Sequence, residues 1–345
     1  MTISEFTLTR RAALGGIAAA ALAAPARAQA AKAVVGTWGG DYARLLTKNI
    51  DDPILKPKGL EIVQDQAADS ARRTKMLAER RLPRGTSDIQ ALSAVNLYEM
   101  NEAGALETID YSKLPNAANL IPAFKYPYGI GQIYSGMVIV YNPKMINPAP
   151  TSFKDVFDPK HGNKAGFIDI QYIYSMICAS LAATGKMGEI EEAKKMLLTV
   201  KASGARLYPT NEAFAQALKT EEIGIGFMWK ARAVQWQNSG IPVESAAPSE
   251  GIPAFVSGFG IPKNAPNKDQ AYAYLDAMLA KSAQEAFAVD MGYNPTVTNA
   301  VVAPDLNKRI GFTPEEAKRV VDVDYAFLAK NDSAMKEWWD KVFKG

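Results

Sequence analysis

Short apolar runs that end in turn residues alternate along this chain with stretches of helical spacing. The first run is Ala33-Val34-Val35-Gly36-Thr37. Trp38-Gly39-Gly40-Asp41 closes it, ahead of a helix-like segment at 42–50. Strand, tight turn and helix start put an aromatic ring, two glycines and a carboxylate at the carboxyl end of a strand. Ligands bind at that end in open α/β sheets. Two readings follow: a glycine loop cradling phosphate, or the rim of a small-molecule cleft with Trp38 as a platform. Residues 59–64 alternate like a second strand. Residues 70–84 have helical spacing closed by Pro83. A short apolar strand at 88–92 leads to Ser93, and a helix at 97–103 ends at Gly104.

Residues 132–143 are the longest β-branched and aromatic run. Pro148 and Pro150 then punctuate a linker, where a domain crossing is expected. A second unit repeats the alternation: strands at 165–169, 206–208 and 223–229, and helices at 172–183, 189–202, 212–219 and 231–237. Thr210 suits the N-cap before Glu212. The run at 255–262 is the natural return crossing. One amphipathic helix is expected over 267–282, a turn at 292–296, and helices at 315–329 and 333–343. Strands alternating with helices argue for mostly parallel sheets.

Composition narrows the function. The 345 residues suffice for two domains, and 48% hydrophobic with 22% charged is ordinary for a globular protein. Of the net charge of +3, residues 1–28 carry +2 through Arg10, Arg11 and Arg27 against Glu5. The near-neutral remainder gives no electrostatic case for nucleic acid. The single Cys178, in an apolar run, reads as a small buried hydrophobe. A lone His161 with no cysteine pair argues against zinc. The same shortage, with no G-x-S-x-G and no paired carboxylates, argues against an enzyme. Phosphate-loop spacings are absent around Gly39-Gly40. Thr9-Arg10-Arg11 followed by an Ala/Gly-rich stretch and Ala26-Arg27-Ala28 reads as a twin-arginine signal peptide over 1–28. Export to the periplasm is the expectation.

Five motifs carry a resemblance. They are Trp38 after the opening strand; Met137-Val138-Ile139-Val140-Tyr141-Asn142 after Pro127-Tyr128-Gly129; Gly226-Phe227-Met228-Trp229; Gly258-Phe259-Gly260-Ile261-Pro262; and Gly292-Tyr293-Asn294-Pro295. In order and spacing the chain resembles the type II periplasmic solute-binding proteins of ABC importers, in particular the spermidine/putrescine-binding branch. The resemblance implies an α/β, two-lobed type II periplasmic-binding-protein fold, each lobe a mostly parallel sheet flanked by helices, joined by two hinge crossings. The first lobe would take 33–140 and 261–312, the second 141–260, and C-terminal helices 313–345. It implies a small-molecule solute, an ABC permease and ATPase as partners, no cofactor, no metal and a monomer.

The resemblance also carries ligand roles onto Trp38, Ser93, Asp169 and Trp229. Tyr172 stands where polyamine binders have an acidic residue, and Phe255 is followed at the second acidic position by Ser257. Lys230 and Arg232 follow Trp229. Two amine-binding carboxylates are thus missing, which disfavours a polycation. Asp41 could replace one, and Asn294 completes the candidate set. The expected ligand is a polyamine-like amine or zwitterion captured by hinge closure over Val138–Asn142 and Ser257–Ile261, with Gly258 and Gly260 absorbing the rotation. Alternatives are a small carboxylate or phosphonate, ferric iron on Tyr172 and Tyr174, or a sensor module that docks on a signalling receptor.

Overall fold

The computed structural model describes residues 31–345; the expected export segment at 1–28 lies outside the described residues. β1 (Ala31–Thr37) buries Ala33 and Val35 and pairs in parallel with β2 (Leu60–Gln66) and β3 (Ile89–Ser93). Between β1 and β2 runs α1 (Asp41–Leu46), entered through Gly40 at φ 67°, a left-handed conformation that glycine adopts without strain. α2 (Asp69–Glu79) and α3 (Ala94–Glu102) follow β2 and β3. β4 (Lys125–Tyr126) folds back on β5 (Gly129–Tyr141), the longest strand.

The second unit comprises α4 (Phe153–Val156), β6 (Gly166–Ile168), α5 (Tyr172–Thr184), α6 (Ile190–Ala202), β7 (Arg206–Tyr208), α7 (Asn211–Lys219), β8 (Ile225–Trp229), α8 (Lys230–Asn238) and β9 (Glu244–Ala246). Local chemistry sets several of its ends. Ser152 makes a capping box with Asp155, and Thr210 caps α7 by accepting the Ala213 N–H. Gly185, left-handed at φ 73°, ends α5. β6 and β7 are parallel, as expected, but β8 and β9 both run antiparallel to β5.

β10 (Ile252–Gly260) returns the chain to the first sheet, whose order is β2-β1-β3-β10-β5, completed by β11 (Asn294–Pro295). β10 is antiparallel to both neighbours. The exchange of partners along β5 is abrupt. Through Gly136 it pairs with β10, and from Met137 it pairs with β8. Val138 and Val140 therefore belong to the second-lobe sheet, and Ser257 to Gly260 to the first. The crossing falls ahead of the expected Val138–Asn142 segment on β5 and before Ser257 on β10. Each lobe has its own core, one around Val140, Phe153 and Phe227, the other around Leu46, Ile89 and Phe259; Phe255 packs on both.

The C-terminal third departs most from expectation. The single helix expected over 267–282 is two, α9 (Lys268–Met278) and α10 (Lys281–Met291), broken at extended Ala280. After α11 (Pro304–Ile310), the helix at Pro314 is only α12 (Pro314–Ala317). The chain then forms β12 (Val320–Val321) beside β10, and α13 (Tyr325–Trp338) carries on into a wider-turned end, Trp339–Phe343. α13 packs against both α3 and α5, so the C-terminal segment spans the two lobes.

Candidate functional site

Trp38, Ser93, Trp229, Phe255 and Ser257 come together, because strand ends and the crossing strand carry them. Trp229 closes β8, stacks on Phe255 with centroids 4.4 Å apart, and meets Tyr174 edge-on at 4.3 Å. Phe255 in turn lies 5.9 Å from Tyr293. Two residues on, Ser257 is the cross-strand partner of Ser93. Ser93 Oγ caps α3 by accepting the Asn96 N–H at 3.3 Å.

Tyr42 ties this wall to Trp38. Its ring meets Trp38 edge-on at 5.3 Å, and its phenol donates to Gln132 Oε1 at 2.7 Å. Burial pushes that phenol pKa well up, against the influence of nearby Ser257 and Arg72. Beside Tyr42, Ser257 Oγ is buried without a hydrogen-bond partner, as are Thr37 Oγ1 and Gln132 Nε2. Buried polar atoms are nearly always paired, so this group of orphans marks a place where a solute can supply the missing partners.

Beneath Trp38 lies a residue the sequence did not single out. The Arg72 guanidinium sits 5.0 Å from the Trp38 ring centroid, with its side chain 1% exposed. Nε donates to Ala67 O at 3.1 Å, and Nη1 to Gly36 O, Gln90 Oε1 and Ala91 O. Nη2 has no hydrogen-bond acceptor. Its nearest carboxylate oxygen, Asp69 Oδ1 at 3.8 Å, is likewise buried and unpartnered. Asp69 Oδ2 is taken by Arg73 Nε at 3.0 Å and Asn96 Nδ2 at 2.6 Å. One signal was available. Arg72 lies four residues before Met76, on the face of α2 that Met76 buries, where an arginine calls for acceptors.

The other expected site residues are committed elsewhere. Asp41 is exposed and pairs within α1 to Arg44 at 3.1 Å. Asp169 accepts from Trp339 Nε1 at 2.8 Å and from Lys344, so it anchors the C-terminal segment. Tyr172 donates to Asp332 on α13, and Tyr174 to Ala254 O at 3.2 Å, so the two phenols diverge. Lys230 donates to Gly311 O, lies 3.6 Å from Glu316, and covers Phe312. Burial draws its ammonium pKa down, opposed by Glu316. Asn294 donates to Ile310 O at 3.1 Å and holds a loop. Asn294 and Lys230 each line a depression whose walls include none of Trp38, Trp229 and Phe255. Among the described residues no cluster of three or more His, Cys, Asp or Glu is placed to hold a metal.

The cluster brings together stacked aromatics, hydroxyls, amides and one buried guanidinium. A family model described as bacterial extracellular solute-binding protein matches residues 52–314. The chain is 26% identical over 272 residues to the spermidine/putrescine-binding periplasmic protein of Escherichia coli K12, covering 75% of this chain and 74% of that one. It is similar to the crystal structure of an ABC transporter from Clostridium perfringens, with TM-score 0.74, 25% identity, and 90% and 99% of the two chains covered. A GABA receptor shares the fold at TM-score 0.80 and 21% identity, over 91% and 98% of the chains.

Proposed function

The chain belongs to the bacterial extracellular solute-binding proteins and serves an ABC transporter as its substrate-binding protein; we propose that its solute is a small zwitterion, an amine that also bears a carboxylate. The buried Arg72 guanidinium with a free N–H beside Trp38 carries this reading. A polycation would place like charge against it, and the carboxylates expected to pair with amines, Asp41 and Asp169, are engaged by Arg44, Trp339 and Lys344. A buried ammonium without a carboxylate costs several kcal/mol in practice. The ligand's carbon body packs on Trp38, Trp229 and Phe255.

Capture proceeds by closure of the two lobes about the crossing strands, where β5 changes partners after Gly136 and β10 enters the first-lobe sheet ahead of Ser257. Only contacts stronger in the closed state drive that closure. The closed monomer then docks on a permease served by an ATPase, and no chemical step occurs. The twin arginines Arg10-Arg11 direct export to the periplasm, where the relatives reside.

Titration calorimetry with 2-aminopentanoate, 5-aminopentanoate, 1,5-diaminopentane and spermidine tests the ligand class. At least one aminopentanoate is expected to bind more tightly than either polycation. Binding of a polycation with both aminopentanoates inert refutes the reading.

A further inference from the structure

We infer that Arg72 Nη2 and Asp69 Oδ1 form a bipolar socket that reads an ammonium and a carboxylate borne on one carbon, so that the solute is an α-amino acid. This rests on the zwitterion reading above and sharpens it. Two atoms of opposite charge stand 3.8 Å apart, both buried, both without a hydrogen-bond partner. A plain ion pair would close to ordinary hydrogen-bond length. This one is held open from both sides. Arg72 is tethered by the carbonyls of Gly36, Ala67 and Ala91, and Asp69 by Arg73 and Asn96. Each orphan is destabilising until a partner is supplied, the more so because both groups are charged. Burial keeps the Asp69 carboxyl pKa raised despite Arg73 and Arg72, as fits a charge short of partners.

A carboxylate alone on Arg72 would meet the Asp69 charge, and an ammonium alone on Asp69 would meet the guanidinium. A headgroup with its two charges one carbon apart satisfies both. An ω-amino acid, with its charges at opposite ends of an extended chain, does not. The socket is at the right place. Asp69 and Arg72 start the helix after β2, under the Trp38 ring and beside Asn96 of the Ser93-capped helix. The α-substituent is then free to run toward Trp229 and Phe255.

The isomers 2-aminopentanoate and 5-aminopentanoate decide the matter by calorimetry on the wild-type protein. The 2-isomer is expected to bind at least about tenfold tighter, and Asp69→Asn and Arg72→Lys to remove most of that preference. Equal binding, or preference for the 5-isomer, overturns the socket while the zwitterion reading stands. A preference unchanged in both variants overturns the assignment to these residues. Should the variants fail to fold, 2-aminopentanamide and pentanoate replace them as probes on wild type. Each lacks one charge and is expected to lose at least about tenfold; retained binding of either overturns the socket. Binding of 1,5-diaminopentane with both isomers inert defeats both proposals.

Discussion

The Trp229 indole and the Phe255 ring stack with centroids 4.4 Å apart and planes 25° from parallel, joining the end of a second-lobe strand to the crossing strand β10. Offset stacks of this kind are worth about 0.5–1.5 kcal/mol beyond area burial. Trp229→Ala is expected to abolish measurable solute binding and to lower stability by about 3–5 kcal/mol. Trp229→Phe, which keeps a ring on Phe255, is expected to retain most of both. Calorimetry and urea melts on the two variants check it. Wild-type affinity in Trp229→Ala would remove Trp229 from the site.

Gly258 is expected to tolerate no side chain. A Cβ there would lie 2.1 Å from Ile130 O, a backbone atom that cannot swing away. The β10–β5 register shifts between Ser257 and Gly258, so this close approach sits under the candidate serine. The glycine thus serves strand approach within the first-lobe sheet. Gly258→Ala is expected to cost about 1–3 kcal/mol and to weaken binding through displaced Ser257. Urea melts and calorimetry measure the two effects.

These two cases show which features were legible in the sequence. That Trp38, Ser93 and Trp229 stand at or just after strand ends was readable, because an apolar run ending in a polar or aromatic turn residue is a local signal. Arg72 and Asp69 were not singled out, because the stretch at 70–84 was read only for its helical spacing. Asp169 and Lys230 find their partners far along the chain, Trp339 and Lys344 for one and Gly311 for the other. No local pattern reports such contacts. The α9–α10 break at Ala280 has neither glycine nor proline to mark it.

The phenol of Tyr42 donates to Gln132 Oε1 at 2.7 Å in a fully buried setting. Tyr42→Phe leaves that oxygen unpaired in the interior, at a cost of about 1–3 kcal/mol. Stability is expected to fall by that amount. Solute affinity is expected to change as well, since Tyr42 touches Trp38 at 5.3 Å. An unchanged melting midpoint would show that the bond contributes nothing.

Trp339 is fully buried, packs on Phe343 at 4.2 Å, and donates its indole N–H to Asp169. Trp339→Ala is expected to cost about 3–5 kcal/mol. Trp339→Phe should lose less, chiefly the hydrogen bond. Because α13 spans α3 and α5, the alanine variant should also broaden the scattering profile of the free protein as the lobes lose their shared strap. A profile identical to wild type would confine Trp339 to local packing.

Asp169 supplies the pH dependence of that anchor. Burial pushes its carboxyl pKa up, but hydrogen bonds from Lys344 and Trp339 outweigh this and hold it below the ordinary 3.8. A carboxyl with a depressed folded-state pKa stabilises the fold above its unfolded value, and that contribution is lost as pH falls through the folded one. Asp51 and Asp69 have the opposite sign. Burial raises their pKa values, so protonation relieves them as pH falls. The net acid limb therefore mixes both signs, and only a variant isolates one group. Asp169→Asn is expected to be less stable than wild type at neutral pH. The gap should narrow as pH drops below 3.8, because wild type then carries a neutral acid at the same place. Urea melts of the two proteins across that range measure it. A gap that stays constant into acid would mean that the charge on Asp169 contributes nothing and only its hydrogen-bond geometry matters.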